Sequence, residues 1–360
     1  MKNVILSKDI TTLSIPFVCG ILSGHLLPCG TEAAYIPASA ACLACALVLP
    51  FIICRRKAGP AIYAALFFIG AAYSLTARLP GLSGHTGLPA ASRAMDAFTQ
   101  AIDAAGFGHE STAALLKALL TGRKESMDPD VVRTFRDGGG AHILALSGLH
   151  LGIIYGMLSG LLSILGNSRI SGITRSILTV SACGLYALMT GLSPSIVRAF
   201  LFISLNECRR HSPGRESSPV RTLCAALVIQ LAATPNVIAS VGFQLSYLAM
   251  LGICCIKPQM DRLYPESEHD GPMRRVWTSA STAISCQATT APLVLIRFHT
   301  FPKYFLICNL TALPLTEALM VCALLTLGLD LAGICPDMMK GLTDNLAQAL
   351  IFCLRTVSEM

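Results

Sequence analysis

Long apolar runs, separated by short polar or basic stretches, follow one another along most of the chain. Their lengths are close to the roughly twenty residues that a helix needs to cross the hydrocarbon layer of a bilayer. We therefore predict an all-α fold, a polytopic transmembrane helical bundle of roughly ten spans. The predicted spans cover residues 11–27, 34–54, 61–77, 143–165, 173–190, a helix that begins at Pro194, and residues 220–238, 241–256, 276–296 and 304–329.

A polar interlude, residues 78–141, follows the third run. Within it, apolar side chains recur with helical spacing over residues 91–120, and the pattern is broken at residues 106–108. Such stripes are typical of helices that lie along a membrane surface, so we expect a surface amphipathic helical segment. The stripe residues are Ala94, Phe98, Ile102, Leu115, Leu116, Leu119 and Leu120. The predicted parts are N-terminal transmembrane helices (1–77), an extracytoplasmic amphipathic segment (78–133) and a second transmembrane domain (134–360) that ends in an amphipathic helix.

Composition agrees with a membrane protein and excludes an ordinary soluble domain. The chain is 53% hydrophobic and only 13% charged, and its mean hydropathy is +0.63. Soluble domains are about one quarter charged. The fifteen cysteines are scattered through apolar runs and are expected to be small core residues. No Walker A sequence and no His or Cys metal-binding pattern is present, so we expect no enzyme activity, no cofactor and no metal.

The lysines and arginines predict the orientation, because cytoplasmic loops of membrane proteins are enriched in both. The basic clusters at residues 55–57, 169–175 and 209–221 fall on one side if every predicted span crosses once. The N-terminus falls on that side as well, so we expect it to be cytoplasmic. The interlude then lies outside, and the stretch that follows it runs inwards.

The signature stretch, residues 134–152, concentrates polar chemistry in an apolar context. Three glycines at 138–140 are poor helix interior, since each costs about 1 kcal/mol relative to alanine. We expect them to break the chain, so that the polar residues behind them face a polar cavity and not lipid. Those residues are His142, Ser147, Gly148 and His150. The simpler alternative is that the histidines are hydrogen-bonded helix residues and that Gly148 begins a packing ladder with Gly152, Gly156 and Gly160.

Further polar groups lie in later apolar helices. Pro194 suits a helix start, which places Arg198 about one turn inside that helix. Arg198 is either an arginine that snorkels to the interface or a fixed internal cation. Helix-to-helix hydrogen bonding is an adequate alternative for the amides and hydroxyls. The full set comprises Arg198, Ser193, Ser195, Gln244, Ser246 and Asn309.

The signature stretch resembles that of the ComEC family, the inner-membrane channels for DNA uptake in natural competence. The family signature has a Phe-Arg approach, a glycine, a histidine and then Ala-Ile-Ser-Gly-Leu-His. Here it is matched by Phe135, Arg136, Gly140, His142 and the run from Ala145 to His150, with leucine for isoleucine. The lead-in at 114–129 is similar to the family's helix followed by Gly-Asp-Arg. Three later segments are also similar: Tyr-x4-Gly-x-Ser-Pro-Ser-x2-Arg-Ala at 186–199, Gly-Phe-Gln-Leu-Ser within 240–247, and Asn-x4-Pro at 309–314.

The resemblance implies a multi-pass protein of the bacterial inner membrane that passes single-stranded DNA. It also implies the lipid bilayer and other DNA-uptake proteins as partners, and a homo-oligomer is a further expectation. We expect only the membrane core, because only about thirty residues separate the third span from the amphipathic region, too few for the family's small β-barrel. The metallo-β-lactamase-like domain of many members is likewise expected to be absent.

Two other function classes compete with the channel. A secondary transporter of a small polar or anionic solute also uses glycine-broken polar helices, although no inverted repeat is visible. An intramembrane serine protease is the remote alternative, since residues 145–148 are close to a Gly-x-Ser-Gly nucleophile motif. That enzyme needs a base at hydrogen-bonding distance from the serine, and His150 is too near in sequence to be an ideal base.

Overall fold

Every regular element in the part of the chain that the computed structural model describes is helical. The model describes residues 10–27, 32–54, 58–78, 89–166, 168–211, 218–264, 271–299 and 303–359. An all-α fold is therefore confirmed over these residues. Much of the charge used to predict orientation, at residues 1–9, 55–57 and 212–217, lies outside them.

The helices in chain order are α1 (Ile10–Leu26), α2 (Glu32–Cys54), α3 (Ala58–Thr76), α4 (Pro89–Ala104), α5 (Glu110–Thr121), α6 (Pro129–Asp137), α7 (Gly148–Leu161), α8 (Arg169–Met189), α9 (Pro194–Arg210), α10 (Pro219–Ala233), α11 (Val241–Cys255), α12 (Lys257–Asp261), α13 (Pro272–Phe298), α14 (Phe305–Leu331) and α15 (Asp337–Ser358). Short 3-10 helices follow α7 (Leu162–Leu165) and α10 (Pro235–Ala239).

The chain folds as two compact units. The first unit comprises Met1–Thr86 and Cys208–Tyr247, and the second comprises Gly87–Glu207 and Leu248–Met360. In the first unit, α1 and α3 cross so closely that a Cβ built on Gly20 would lie 1.9 Å from the Phe67 carbonyl oxygen. Glycine is required there because only bare backbone allows two helices to approach to this distance.

The second unit has the larger apolar core, built from α4, α5, α6, α14 and α15. The stripe of α5 enters this core, where Leu116, Leu119 and Leu120 are fully buried. The amphipathic periodicity thus predicted the helices and their break correctly. The predicted partner for the stripe of α5, a membrane surface, is replaced by the apolar faces of α14 and α15.

Three helices of the described chain are long and apolar enough to cross a membrane, namely Ile170–Met189, Val241–Asp261 and Phe305–Leu331. Five shorter apolar helices, of 10–17 residues, accompany them at Ile10–Leu26, Tyr35–Ala46, Ile62–Thr76, Gly148–Ile164 and Pro219–Ala233. These helices indicate membrane association, and the ten predicted spans stay a prediction. The span predicted at 143–165 is shorter than expected, because regular helix begins only at Gly148 and ends at Leu161.

Asp344 connects the interlude to the C-terminal helix. Its Oδ2 accepts a hydrogen bond of 2.8 Å from the Gly108 N–H, just before the start of α5. Asp344 is 8% exposed, so the Gly108 N–H finds its hydrogen-bond acceptor at a site that is largely removed from water. The break at residues 106–108 is therefore held by a carboxylate distant in sequence.

Asp344→Ala should lower the free energy of unfolding by about 1.5–3 kcal/mol, the usual contribution of a hydrogen bond to a charged group. Gln348→Ala is the matched control, because the Gln348 hydrogen bond to Ser111 is exposed and its loss should change stability by less than about 0.5 kcal/mol. Denaturant unfolding of the purified protein in detergent measures both. Equal effects of the two substitutions would contradict the structural role of Asp344.

Candidate functional site

The signature stretch is a helix, a turn segment and a second helix. Helix α6 ends at Asp137, and residues 138–147 contain no regular helix before α7 begins at Gly148. Gly139 has a φ of 81°, a conformation that favours glycine. The turn is closed by a hydrogen bond of 2.9 Å from the Ile143 N–H to the Gly140 carbonyl oxygen. The predicted break at the three glycines is confirmed.

The turn segment packs against helices from the far end of the chain. A Cβ on Gly140 would lie 3.3 Å from the Cys308 Sγ atom on α14 and 3.1 Å from a methyl group of Leu354 on α15. Ile143 and Leu144 are buried in the core that these helices share with α5. Protein therefore covers the irregular backbone on the side of α14 and α15.

Ser147 and His150 form the start of α7. The Ser147 N–H donates to His150 Nδ1 at 3.0 Å, and the Ser147 Oγ atom lies 3.2 Å from the same nitrogen. His150 is the N3 residue of this capping box. Because Nδ1 accepts an N–H, the proton of the neutral ring is on Nε2. His150 is 1% exposed, and its Nε2 is buried without a hydrogen-bond partner.

His142 and Asn309 lie close to this histidine. The His142 Nδ1 is 3.1 Å from the Gly139 carbonyl oxygen, so Nδ1 carries the proton. His142 is exposed, and its ring lies near His150 and the Asn309 side chain. The Asn309 Oδ1 makes no hydrogen bond although it is buried. The His150 Nε2 donor and the Asn309 Oδ1 acceptor, both buried and without a hydrogen bond, thus lie near His142.

Arg198 lies against the first residue of α7. Helix α9 begins at Pro194 as predicted, and Arg198 is 9% exposed. A Cβ on Gly148 would lie 2.7 Å from the Arg198 Nη2 atom and 3.2 Å from the Ala199 Cβ atom. Gly148 is consequently a point of close approach, and its missing side chain provides the space for the guanidinium.

The turn before α9 fixes that approach. Gly191 and Leu192 both have positive φ angles, of 71° and 54°. Such a conformation strains a non-glycine residue by roughly 1 kcal/mol or more. Leu192 packs against a small apolar cluster between α7, α8 and α9, which offsets the strain. Ser193 follows with a buried, unpaired Oγ, and Ser195 is half-buried in the first turn. The members of the cluster are Leu151, Cys183, Tyr186, Ala187, Ile196 and Ala199.

Tyr186 joins this cluster to the interlude. Its hydroxyl group donates a buried hydrogen bond of 2.8 Å to the Leu120 carbonyl oxygen, at the end of α5. Leu146, just before α7, lies against Gly122 at the same end of that helix. The signature stretch and the segment at 186–199 are therefore anchored to the same helix terminus.

The glycine ladder does not pack as predicted. Built Cβ atoms on Gly152, Gly156 and Gly160 meet no described atom within 4 Å. Only Gly148 of the four makes the expected close contact, and its neighbour is an arginine side chain together with Ala199. Small-residue spacing alone therefore failed to predict a helix interface within this chain.

Gln244 and Ser246 belong to the first unit, whereas the other predicted site residues belong to the second. Gln244 donates through Nε2 to the Ile238 carbonyl oxygen at 2.8 Å, a local contact that secures the 3-10 turn before α11. Hydrogen bonding between neighbouring segments of this unit describes Gln244 well. The second unit brings together His142, Ser147, Gly148, His150, Arg198 and Asn309.

One polar cluster was missed from the sequence. Glu207 is 6% exposed and accepts hydrogen bonds from the Tyr155 hydroxyl on α7 and the Ser176 hydroxyl on α8. In the sequence it directly precedes Cys208 and the basic cluster at residues 209–221. The signal that could have placed it was the helical continuation of α9 through Arg210.

The arrangement is suited to binding a polar or anionic group. The start of α7 supplies a partial positive charge, Arg198 supplies a full one, and His150 supplies a buried N–H. Among the described residues, no group of three or more His, Cys, Asp or Glu side chains could hold a metal ion. The contact of Ser147 with His150 has capping geometry, in which Nδ1 already accepts a backbone N–H.

Comparison with known proteins connects this site to competence. The family model described as "Competence protein" matches residues 119–360, which include the whole signature stretch. The ComE operon protein 3 of Bacillus subtilis (strain 168) is 24% identical over 200 residues, which cover 56% of this chain and 24% of that relative. The match thus spans about a quarter of the relative's length. No solved structure matches the chain.

His150→Ala should lower the free energy of unfolding by about 1 kcal/mol, because the Ser147 N–H loses its acceptor at the start of α7. His150→Asn should restore most of this, since an asparagine oxygen can take the place of Nδ1. The asparagine lacks the Nε2 donor, so the pair separates capping from any second role. The midpoint of thermal unfolding in detergent is the measurement. An asparagine variant as unstable as the alanine variant would contradict the capping role.

Proposed function

Because this chain belongs to the Competence protein family, we propose that it forms an inner-membrane channel that passes single-stranded DNA into the cell. Family membership supports a part in DNA uptake. The channel itself, its single-stranded substrate and the residues on its path are the proposal. Residues 134–360 would form the channel domain, with residues 1–77 as additional membrane helices.

The contact between Arg198 and the start of α7 is the observation that supports this function most directly. A polyanion that crosses a low-dielectric layer needs a wet path and positive potential along it. The guanidinium and the N-terminus of α7 provide that potential at one point, where a phosphate group would be favoured. The N–H of His150 Nε2 offers a neutral donor on the same helix turn.

The low number of cations also agrees with transport. Many arginines along a path would hold the phosphate backbone too tightly for release, since phosphate contacts supply most nonspecific affinity. Among the described residues Arg198 is the one buried arginine, and surrounded by hydroxyl and amide groups it would give weak contact that does not depend on base sequence. The polar groups assigned to the path are His142, Ser147, Gly148, His150, Ser193, Ser195, Arg198, Gln244, Ser246 and Asn309.

The proposed topology is multi-pass with a cytoplasmic N-terminus, so that residues 78–133 lie outside. This follows from the positive loops, and it delivers DNA to the outer end of the signature stretch. Other DNA-uptake proteins would hand the strand over at that side, and a homo-oligomer is compatible with the arrangement.

Cysteine labelling tests the topology. In a variant without native cysteines, Glu110→Cys should react with an impermeant reagent added to intact cells, whereas Arg210→Cys should react only after the membrane is opened. The exposed position of Glu110 at the start of α5 makes it a suitable reporter. The reverse pattern of labelling would overturn the orientation.

Arg198→Ala should abolish transformation, because it removes the cation from the path. Gly148→Ala should lower transformation at least about tenfold, because its methyl group would lie 2.7 Å from Nη2 and displace the guanidinium. Gly152→Ala is the matched control, with nothing within 4 Å of its built Cβ atom, and should transform normally. Transformation frequency, normalised to the amount of protein in the membrane, measures all three.

If the Arg198→Ala variant transformed at the wild-type frequency, Arg198 would not belong to the DNA path. Deletion of the whole gene decides the function itself. If DNA uptake stayed intact in a competent strain without the gene, the channel proposal would be wrong, and transport of a small polar or anionic solute would take its place.

A further inference from the structure

Glu207 is a buried carboxylate on which three helices of the second unit converge. Its Oε1 accepts from the Tyr155 hydroxyl on α7 and its Oε2 accepts from the Ser176 hydroxyl on α8, while α9 carries Glu207 itself. Acidic side chains are almost never buried to this degree unless partners satisfy them. Inside a membrane protein, a buried ionisable group is by default a candidate for function.

Both hydrogen bonds suit the ionised form, because a carboxylate accepts at both oxygens. A protonated carboxyl group is a weaker acceptor and carries a donor of its own. Proton binding therefore weakens the bonds from Tyr155 and Ser176. Hydrogen bonds to an ionised group are also roughly twice as strong as those between neutral groups. Protonation of Glu207 would thus loosen its attachment to α7 and α8.

Each of the three helices carries ionisable groups close in sequence to Glu207 or to its partners. Helix α7 contributes Tyr155 itself, and α8 contributes Arg175, which precedes Ser176 and has a buried Nε without a hydrogen-bond partner. On its own helix, Arg210 follows three residues later, and His211 comes directly after the helix end. Burial of Glu207 opposes its ionised form, and positive charge close to a carboxylate favours that form.

Helices α7 and α9 meet at two polar contacts. Gly148 lies against Arg198 near the start of both helices, and Tyr155 reaches Glu207 near the end of α9. Leu151 on α7 and Ala199 and Ile203 on α9, which belong to or pack against the apolar cluster, lie along the helices between them. Because packed helices shift as rigid bodies, a change at Tyr155 is transmitted to the position of Gly148.

We propose that Glu207 is a proton-binding site, and that its occupancy by a proton resets the contact between α7 and α9 at which Arg198 meets the DNA path. The second part rests on the proposed channel function. The first part, proton binding at a carboxyl group released from two hydroxyl donors, stands without it.

Infrared spectroscopy of the full-length protein in lipid vesicles tests proton binding. As the pH falls, the wild-type protein should gain the carboxyl absorption of a buried protonated acid. Glu207→Gln should lose this component, whereas Glu359→Gln, at an exposed carboxylate, should retain it. Tyr155→Phe removes one donor to the ionised form and should shift the midpoint of the transition upwards by about one pH unit or more.

Two infrared results would overturn the site: an unchanged transition in Glu207→Gln, or an unchanged midpoint in Tyr155→Phe. The tyrosine variant decides the question alone if the glutamine variant does not fold.

Passage of labelled single-stranded DNA into the same vesicles tests the coupling. Wild-type passage should depend on pH, and Glu207→Gln should pass DNA at a rate that no longer changes with pH. Wild-type pH dependence in Glu207→Gln would overturn the coupling and leave the channel function standing. If the wild-type protein passed no DNA at any pH, the channel proposal would fail, and the infrared result would still decide whether Glu207 binds a proton.

Discussion

The structure depends on one requirement. The peptide groups of an irregular backbone segment must find hydrogen-bond partners inside an apolar sequence. Residues 138–147 leave the helix and re-enter it, so their peptide groups lack the regular hydrogen bonds of their neighbours. In an apolar layer each unsatisfied group costs several kcal/mol, which is why irregular backbone occurs only where protein or a watery cavity covers it. Here the Gly139 and Ile143 N–H groups donate within the turn, and the Ser147 N–H donates to His150. Helices α14 and α15 cover the segment from one side, where Gly140 touches Cys308 and Leu354.

This arrangement has an electrostatic consequence. The break places a helix N-terminus inside the second unit. A guanidinium beside that terminus adds a second positive charge, because the first turn of a helix already carries a partial positive charge. Arg198 next to Gly148 therefore concentrates positive potential, and an anion between them would relieve it. An anionic group would interact favourably with both the helix terminus and the guanidinium.

The sequence predicted most helices, because apolar length and periodicity are local properties. It also predicted the break at Gly138–Gly140 and the helix start at Pro194, since glycine and proline act on their own backbone. It did not predict that the stripe of α5 would be buried against α14 and α15, because an apolar stripe does not identify what covers it. The ladder of Gly152, Gly156 and Gly160 failed for the same reason.

The sequence identified individual residues of the candidate site, but it did not predict how these residues are arranged in space. Family-like motifs identified His150 and Arg198, but the contact of Arg198 with Gly148 depends on the turn at Gly191 and Leu192. The capping of α7 by His150 needed the helix start to be known, since an N3 role exists only relative to Ser147. Glu207 was missed because its partners, Tyr155 and Ser176, are 52 and 31 residues away in sequence. Hydrogen bonds between residues far apart in sequence produce no periodic pattern in that sequence.

The two polar contacts described between α7 and α9 are linked by apolar packing along the helices. Leu151 and Ala199 are buried between the contacts, and such close-packed side chains transmit a displacement without absorbing it. Low local polarity also strengthens both polar contacts. A movement of α7 along α9 that keeps one contact intact is therefore still opposed by the other. On the proposed proton binding, the helix pair would have two arrangements, one with the carboxylate ionised and held by both hydroxyl groups and one with it protonated and held less tightly. The proposed channel has to hold and then release successive phosphates, and such an alternation at the contact of Arg198 with Gly148 would serve that purpose.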